Sequence, residues 1–214
     1  VILGGILAKF HQINSVVFSI SGLGHVFIDL NRLNRLRRLV VLYLYKFAFS
    51  VPRKLVFFQN MNDLSILSDV CKLHSSEYKL LNGSGVDLNT FSFSPLPSLD
   101  IPVVLMASRL IKSKGVYDFV EASRILRSRG YRVDFWLAGK PDTYNPLSID
   151  PLLIQSWQDQ GLIKYIGHRS DLHHIIPQCH LFVLPSFYPE GLPKVLCEAA
   201  ACGRAIITTT LPGC

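Results

Sequence analysis

From residue 101 onward the chain alternates short, continuously apolar runs with segments of helical period, and that alternation leaves few folds open. Val103-Val-Leu-Met-Ala107, Val133-Asp-Phe-Trp-Leu-Ala138, 162–166, 181–184 and 205–209 read as strands. Between them, 115–129 carries apolar residues at Val116, Phe119, Val120, Ala122, Ile125 and Leu126, a 3.6-residue period. Helices are also expected over 151–160, 171–179 and 192–202, the last stopped by Gly203. Strands that are apolar throughout, as at 103–107 and 181–184, are buried on both faces, so five mainly apolar strands interleaved with four helices predict an α/β unit with a parallel sheet.

The first hundred residues are less regular. Strands are expected at 15–20 and 55–58, a long helix at 33–49 and a short one at 62–69. A Pro/Ser-rich stretch, 92–102, is the best linker in the chain. Two domains are therefore expected, 1–95 and 96–214. Charge divides along similar lines. Residues 1–60 hold eight bases and only Asp29 as an acid, while the rest of the 214-residue chain is neutral, so the whole formal charge of +7 lies in the first quarter.

The five cysteines form no C-x-x-C pair, which argues against a disulfide framework and for a reducing, cytoplasmic setting. The longest apolar stretch, 39–51, is interrupted by Lys46 and is too short to span a bilayer. No D-x-D pair appears and His173-His174 has no ligand partner at metal spacing, so no metal is expected. The chain opens at Val1 inside an apolar run and stops at Leu211-Pro-Gly-Cys214 just after an expected strand. Both ends read as cuts, so a fragment with both domains incomplete is expected.

Two segments carry candidate chemistry. Ser108-Arg109-Leu-Ile-Lys-Ser-Lys114-Gly115 follows the first strand of the second domain. Ligands of doubly wound sheets sit beyond the carboxyl ends of strands, where an Arg and a Lys suit a phosphate or diphosphate. Two solvated loop bases remain the alternative. Pro189-Glu190-Gly191-Leu192-Pro193-Lys194 opens the helix that carries Glu198. A helix start offers free N–H groups to an anion, and two carboxylates reaching one cleft suit a polyhydroxyl ligand. A dipole-stabilising acid plus an ordinary helix Glu is the other reading. Against it, Glu198 stands among Leu196, Cys197 and Ala199–Ala201, where an acid needs a partner.

Glu190 and Glu198 form an E-x7-E pattern, and Arg109 and Lys114 an R-x4-K pattern. With Gly83-Ser-Gly85-Val-Asp87, Phe182-Val-Leu-Pro185-Ser186 and Glu198-Ala-Ala-Ala-Cys-Gly203, they resemble the retaining GT-B glycosyltransferases of family 4 over nearly the whole chain. Ser21-Gly-Leu-Gly-His-Val-Phe27 and Phe58-Gln-Asn60 with Asp63 are most like bacterial enzymes that extend undecaprenyl-diphosphate-linked sugars, including N-acetylgalactosaminyltransferases. The resemblance implies two Rossmann-like domains facing a cleft. It also implies transfer, with retention, of an N-acetylhexosamine or related hexose from a UDP-sugar to a lipid-linked saccharide acceptor in cell-surface glycan assembly.

By the same resemblance Arg109 and Lys114 stabilise the leaving diphosphate in place of a metal, and no cofactor is needed. Glu198 takes the ribose hydroxyls and Glu190 contacts the transferred sugar. The Gly191 and Leu192 N–H groups lie beside the sugar or phosphate. Ser108 counts with the donor-binding residues, and Gly139, Gly167 and His168 border the base. The family's glycine-rich loop and sugar-site histidine are expected upstream of Val1, and neither His11 nor His25 occupies a matching position. Two alternatives stay open: a donor-binding or inactive fragment, and another GT-B nucleotide-sugar enzyme such as an epimerase, against which the two motifs speak.

The stretch bearing Arg32, Arg35, Arg37 and Arg38 reads either as a surface helix attracted to anionic lipid or as a buried helix with a solvated basic start. The first reading predicts a peripheral protein on the inner face of the plasma membrane. Nucleic acid is not expected as a partner, since no recognition motif accompanies the charge.

Overall fold

The computed structural model describes residues 1–23, 27, 32–187, 190–211 and 213–214, with backbone only at 32–34. His25, the middle of the Ser21–Phe27 motif and the Arg32 side chain therefore lie outside the described residues. The chain forms two compact units. The first comprises 1–84 with 190–193 and Gly213; the second comprises 85–187, 194–211 and Cys214. The stretch 92–102 thus packs with the second unit.

In the first unit three parallel strands, β1 (Ser15–Ile20), β2 (Arg53–Phe58) and β3 (Tyr78–Leu80), pair in chain order. Helix α1 (Ile2–Phe10) packs on α2 (Arg32–Ala48), and α2 on α3 (Met61–Cys71). The core gathers Phe18, Ile20, Tyr45, Phe49, Val56, Phe58 and Leu67. Two elements here are additions to the sequence reading. Helix α1 is masked by Gly4-Gly5, but Gly5 has a reason: a Cβ there would stand 2.8 Å from the Ala48 Cβ, so the glycine lets α1 approach α2. Strand β3 is three residues long with Lys79 at its centre, too short to show a period.

The second unit follows its predicted pattern. Strands β4 (Val103–Ala107), β5 (Asp134–Ala138), β6 (Lys164–Gly167), β7 (Leu181–Leu184) and β8 (Ala205–Thr208) are all parallel, in the order β6-β5-β4-β7-β8. Between them run α4 (Val116–Ser128), α5 (Pro151–Asp159), α6 (Leu172–Ile175) and α7 (Lys194–Ala201). Every residue of β4 is buried, as a central strand covered on both faces requires. Asp150 caps α5, accepting the Leu152 N–H at 2.9 Å, with Pro151 in the first turn. Cys179 and Cys202 are buried, and burial pushes the Cys179 thiol up to about 12 against the opposing charge of Arg204, which leaves it a packing group.

Candidate active site

A parallel sheet that grows outward in both directions from its first strand has a crevice where the connections part, beyond the carboxyl ends of the strands at that point. In the second unit β5 and β6 extend to one side of β4, and β7 and β8 to the other. The crevice therefore lies beyond β4 and β7. The two loops that follow these strands are fastened together. The Phe187 N–H donates to the Ser113 carbonyl at 3.0 Å, and the Ser186 hydroxyl donates to the same oxygen at 3.3 Å. Gly115 adopts φ 79°, and a Cβ on it would collide with the Pro185 carbonyl oxygen. Lys114, one residue earlier, is only 9% exposed. It is therefore no freely solvated loop base.

Arg109 is placed differently. Its side chain is 61% exposed and pairs with Asp142, in the loop after β5, at 3.3 Å. An exposed pair of this kind is worth about 0–1 kcal/mol, less than a bidentate bond from the same guanidinium to a phosphate. Asp142 was not among the residues singled out from sequence. An acid in a polar, proline-containing loop carries no sign of which base it will meet.

The other side of the β4 end is a rim of backbone. The Ser108 N–H donates to the Ala138 carbonyl at 3.2 Å, and the Gly139 N–H to the Gly167 carbonyl at 2.8 Å. The Tyr165 hydroxyl closes the set by donating to the Gly139 carbonyl at 2.9 Å, and burial raises its pKa, which keeps the proton in place. A Cβ on Gly139, at φ 142°, would collide with the Ser108 carbonyl oxygen, whereas Gly167, at φ 70°, faces open space. Gly167 ends β6 and His168 follows it, exposed. Ser108, Gly139 and Gly167 are thus brought onto one rim.

Glu198 belongs to α7, but the helix starts at Lys194 rather than Leu192. With that start Pro193 precedes the first turn, and Glu198, the fifth helical residue, stands little more than one turn in. It is 7% exposed. Burial raises its carboxyl pKa, and the Lys194 ammonium, 3.7 Å away on the same face, partly offsets this. That separation is too long for a good hydrogen bond, and Lys194 itself is largely solvated. A carboxylate so dehydrated and so thinly partnered has capacity to accept hydroxyl donors from a ligand.

Residues 190–193 leave the α7 side and pack with the first unit. Asn60, the N-cap of α3, donates from Nδ2 to the Glu190 carbonyl at 3.2 Å and to the Asp63 carboxylate at 3.0 Å. A Cβ on Gly191 would collide with the Ser21 carbonyl and the Gln59 side-chain oxygen. At Gly83, φ 75°, a Cβ would meet the Leu192 side chain at 2.5 Å. So Glu190, Gly191 and Leu192 form one pinned segment of the first unit. Ser108, Arg109, Lys114, Gly139, Gly167, His168 and Glu198 belong to the second. His11, exposed, closes α1. The tie from Asn60 to residue 190 was invisible in the sequence, where Asn60 and Asp63 read only as a local motif.

Comparison with known proteins gives this arrangement a family. The model of the Glycosyl transferases group 1 family matches residues 101–214. The N,N'-diacetylbacillosaminyl-diphospho-undecaprenol alpha-1,3-N-acetylgalactosaminyltransferase of Campylobacter jejuni is 31% identical over 99% of this chain and 56% of its own length. The capsular polysaccharide biosynthesis glycosyltransferase CapM of Staphylococcus aureus is 30% identical over 52% of this chain and 28% of its own. The chain thus spans little more than half, or less, of the relatives it matches. Among solved structures, Anabaena HepE in complex with UDP and glucose superposes with a TM-score of 0.73 at 19% identity, over 99% of this chain and 57% of that one. The lipopolysaccharide glycosyltransferase WaaG gives 0.68 at 15%, over 96% and 62%. These likenesses show the GT-B fold expected from the sequence, and with more than half of its length matched by the family model the chain belongs to the group 1 glycosyl transferases.

Proposed function

We propose that the protein transfers a sugar from a UDP-sugar to a lipid-linked saccharide, with retention of configuration, during cell-surface glycan assembly. The observation that carries this reading is the switch-point crevice of the second unit, bordered by the loop of buried Lys114 and exposed Arg109, with dehydrated Glu198 on the helix that follows β7. In this reading the bond between the anomeric carbon and the diphosphate breaks, and its electron pair leaves on UDP. The acceptor hydroxyl forms the new bond and gives up its proton to the departing diphosphate oxygen. Lys114 and Arg109 neutralise the charge that grows on the diphosphate, without a metal. Glu198 accepts the ribose hydroxyls, Ser108, Gly139, Gly167 and His168 border the base, and Glu190 meets the sugar with the Gly191 and Leu192 N–H groups beside it. The Campylobacter relative supports an N-acetylhexosamine donor and an undecaprenyl-diphosphate-linked acceptor.

Lys114→Ala and Arg109→Ala should each weaken UDP binding by about 1.5–3 kcal/mol, the range of a charge-assisted hydrogen bond. Calorimetry with UDP measures this, with Glu198→Gln as a third variant that should also bind more weakly. Unchanged affinity in the two cationic variants would end the donor-site assignment.

The same proposal places the first unit against an anionic membrane, and a surface feature supports it. Leu36, Leu39, Val40 and Tyr43 are all more than half exposed and recur at helical spacing on α2, beside exposed Arg35 and Arg37. Leu3, Leu7 and Phe10 of the packed neighbour α1 are exposed as well. Among the described residues no helix is long and apolar enough to cross a membrane. An apolar stripe flanked by bases fits interfacial binding, each base near the surface contributing about 1 kcal/mol. In flotation assays the protein should rise with phosphatidylglycerol-containing vesicles, should rise less at high salt, and should stay down with Leu39→Glu. Equal recovery with neutral vesicles at all salt concentrations would remove the electrostatic part of this reading.

A further inference from the structure

We propose that Asn60 and Asp63 are positioning residues for Glu190, a role that rests on the reading of Glu190 as the residue at the transferred sugar. Asn60 and Asp63 are 8% and 4% exposed, and both are polar, so their burial needs a reason. Half of that reason is local. The Asn60 Oδ1 accepts the Asp63 N–H at 2.8 Å and caps α3. A serine would do that as well. The rest is not local. The Asn60 Nδ2 has two hydrogens, and one goes to the Asp63 carboxylate at 3.0 Å while the other goes to the Glu190 carbonyl at 3.2 Å, across 130 residues of chain. Asp63 in turn accepts a backbone N–H from Leu23, in the loop after β1. One buried carboxylate thus aims the amide that holds the Glu190 main chain, and a loop braces the carboxylate.

The segment it holds has no hydrogen-bonded secondary structure of its own. Its position is set instead by close approach on several sides. Gly191 lies flush on the Ser21 carbonyl and Gln59, Leu192 on Gly83, and Gly213 so near the Glu190 and Gly191 carbonyls that a Cβ would overlap both. These contacts exclude displacement in some directions but carry no directional bond. The Asn60 amide supplies one. A misplacement of about 1 Å at a reacting group costs on the order of a hundredfold in rate while leaving remote binding contacts intact.

The test uses Asn60→Ser, which keeps the α3 cap and removes the second donor. Binding of UDP is measured by calorimetry, and turnover as UDP released from UDP-N-acetylgalactosamine. The expected result is a fall in kcat of about 10–100-fold with UDP affinity within about twofold of the parent and melting temperature little changed. Asp63→Asn, similar in shape but with one fewer acceptor, should show the same split, and it decides the matter if Asn60→Ser does not fold. A parental kcat in both variants, or a parallel loss of kcat and UDP affinity, overturns the proposal. Glu190→Gln is run beside them. If that variant is inactive while Asn60→Ser turns over normally, the positioning role fails alone. If Glu190→Gln itself keeps the full rate, the underlying reading of Glu190 fails and the positioning role with it.

Discussion

Gly115→Ala should weaken UDP binding about as much as Lys114→Ala does and lower the melting temperature by about 10 °C, the equivalent of roughly 3 kcal/mol for a domain of this size. Two costs add. A left-handed backbone costs an alanine about 1–2 kcal/mol, and Gly115 has φ 79° and ψ 26° between the Lys112–Lys114 turn and α4. The new methyl group would also collide with the Pro185 carbonyl oxygen and lie 2.6 Å from the Pro185 ring. Crowding a packed site adds about 1–3 kcal/mol. Neither wall yields easily: the β7 side is held to Ser113 by Ser186 and Phe187, and the β4 side carries Lys114. Relief must come from opening the crevice itself, which displaces the ammonium from any diphosphate it holds. Gly130→Ala separates the two costs. Gly130 has φ 80°, but a methyl group on it would meet nothing within 4 Å, so this variant should bear only the backbone cost and bind UDP normally. Equal melting temperatures for the two variants would show that the Pro185 contact carries no weight.

Most of the second unit was legible in the sequence because its two inner strands beside the crevice, β4 and β7, are apolar without interruption and are separated by segments of helical period. β4 and β7 have the predicted bounds, 103–107 and 181–184. The errors lie where packing overrides the local signal. Leu192 reads as a helical residue, yet it packs on Gly83 and α7 starts two residues later. The same limit applies to the site. The types of Arg109, Lys114, Glu190 and Glu198 and their spacing were visible, but their environments were not. The close approach of residue 115 to residue 185, beside buried Lys114, joins segments 70 residues apart. Whether Arg109 is free depends on Asp142. The Asn60 amide reaches the Glu190 carbonyl 130 residues downstream. Each is a pairing between distant segments, and no local period encodes such pairings.

Arg204→Ala should destabilise the second unit by about 3–5 kcal/mol, although the residue lies outside the candidate crevice set and carries no part of the two motifs. Arg204 is 3% exposed and makes no ion pair with a carboxylate among the described residues. Its guanidinium donates instead to neutral oxygens: the Cys202 carbonyl at 3.0 and 2.8 Å, the Cys179 carbonyl at 3.2 Å, the Pro95 carbonyl at 3.0 Å, the Ser94 hydroxyl at 2.8 Å and the Ser94 carbonyl. Truncation leaves several carbonyls without a donor, each costing about 1–3 kcal/mol where water cannot replace it. The Ser94 and Pro95 side is only partly buried, so some of that loss is recovered by solvent. Lysine keeps the charge but has no planar fork with which to reach these five acceptors, so Arg204→Lys should recover about half of the loss or less. Ser94→Ala, which deletes one hydroxyl, should cost about 1 kcal/mol. Denaturant titration measures all three, and an Arg204→Ala loss below about 1 kcal/mol would mean that the carbonyls find other donors. The consequence reaches the site through α7. Cys202 is the residue at which that helix ends, and a cation there complements the helix dipole. Arg204 thus ties the end of the helix that carries Glu198 to the stretch following residue 92, which reads from sequence as a loose linker. Limited proteolysis should therefore cut Arg204→Ala within 92–102 much faster than the parent, and its UDP affinity should fall with the loosening of α7.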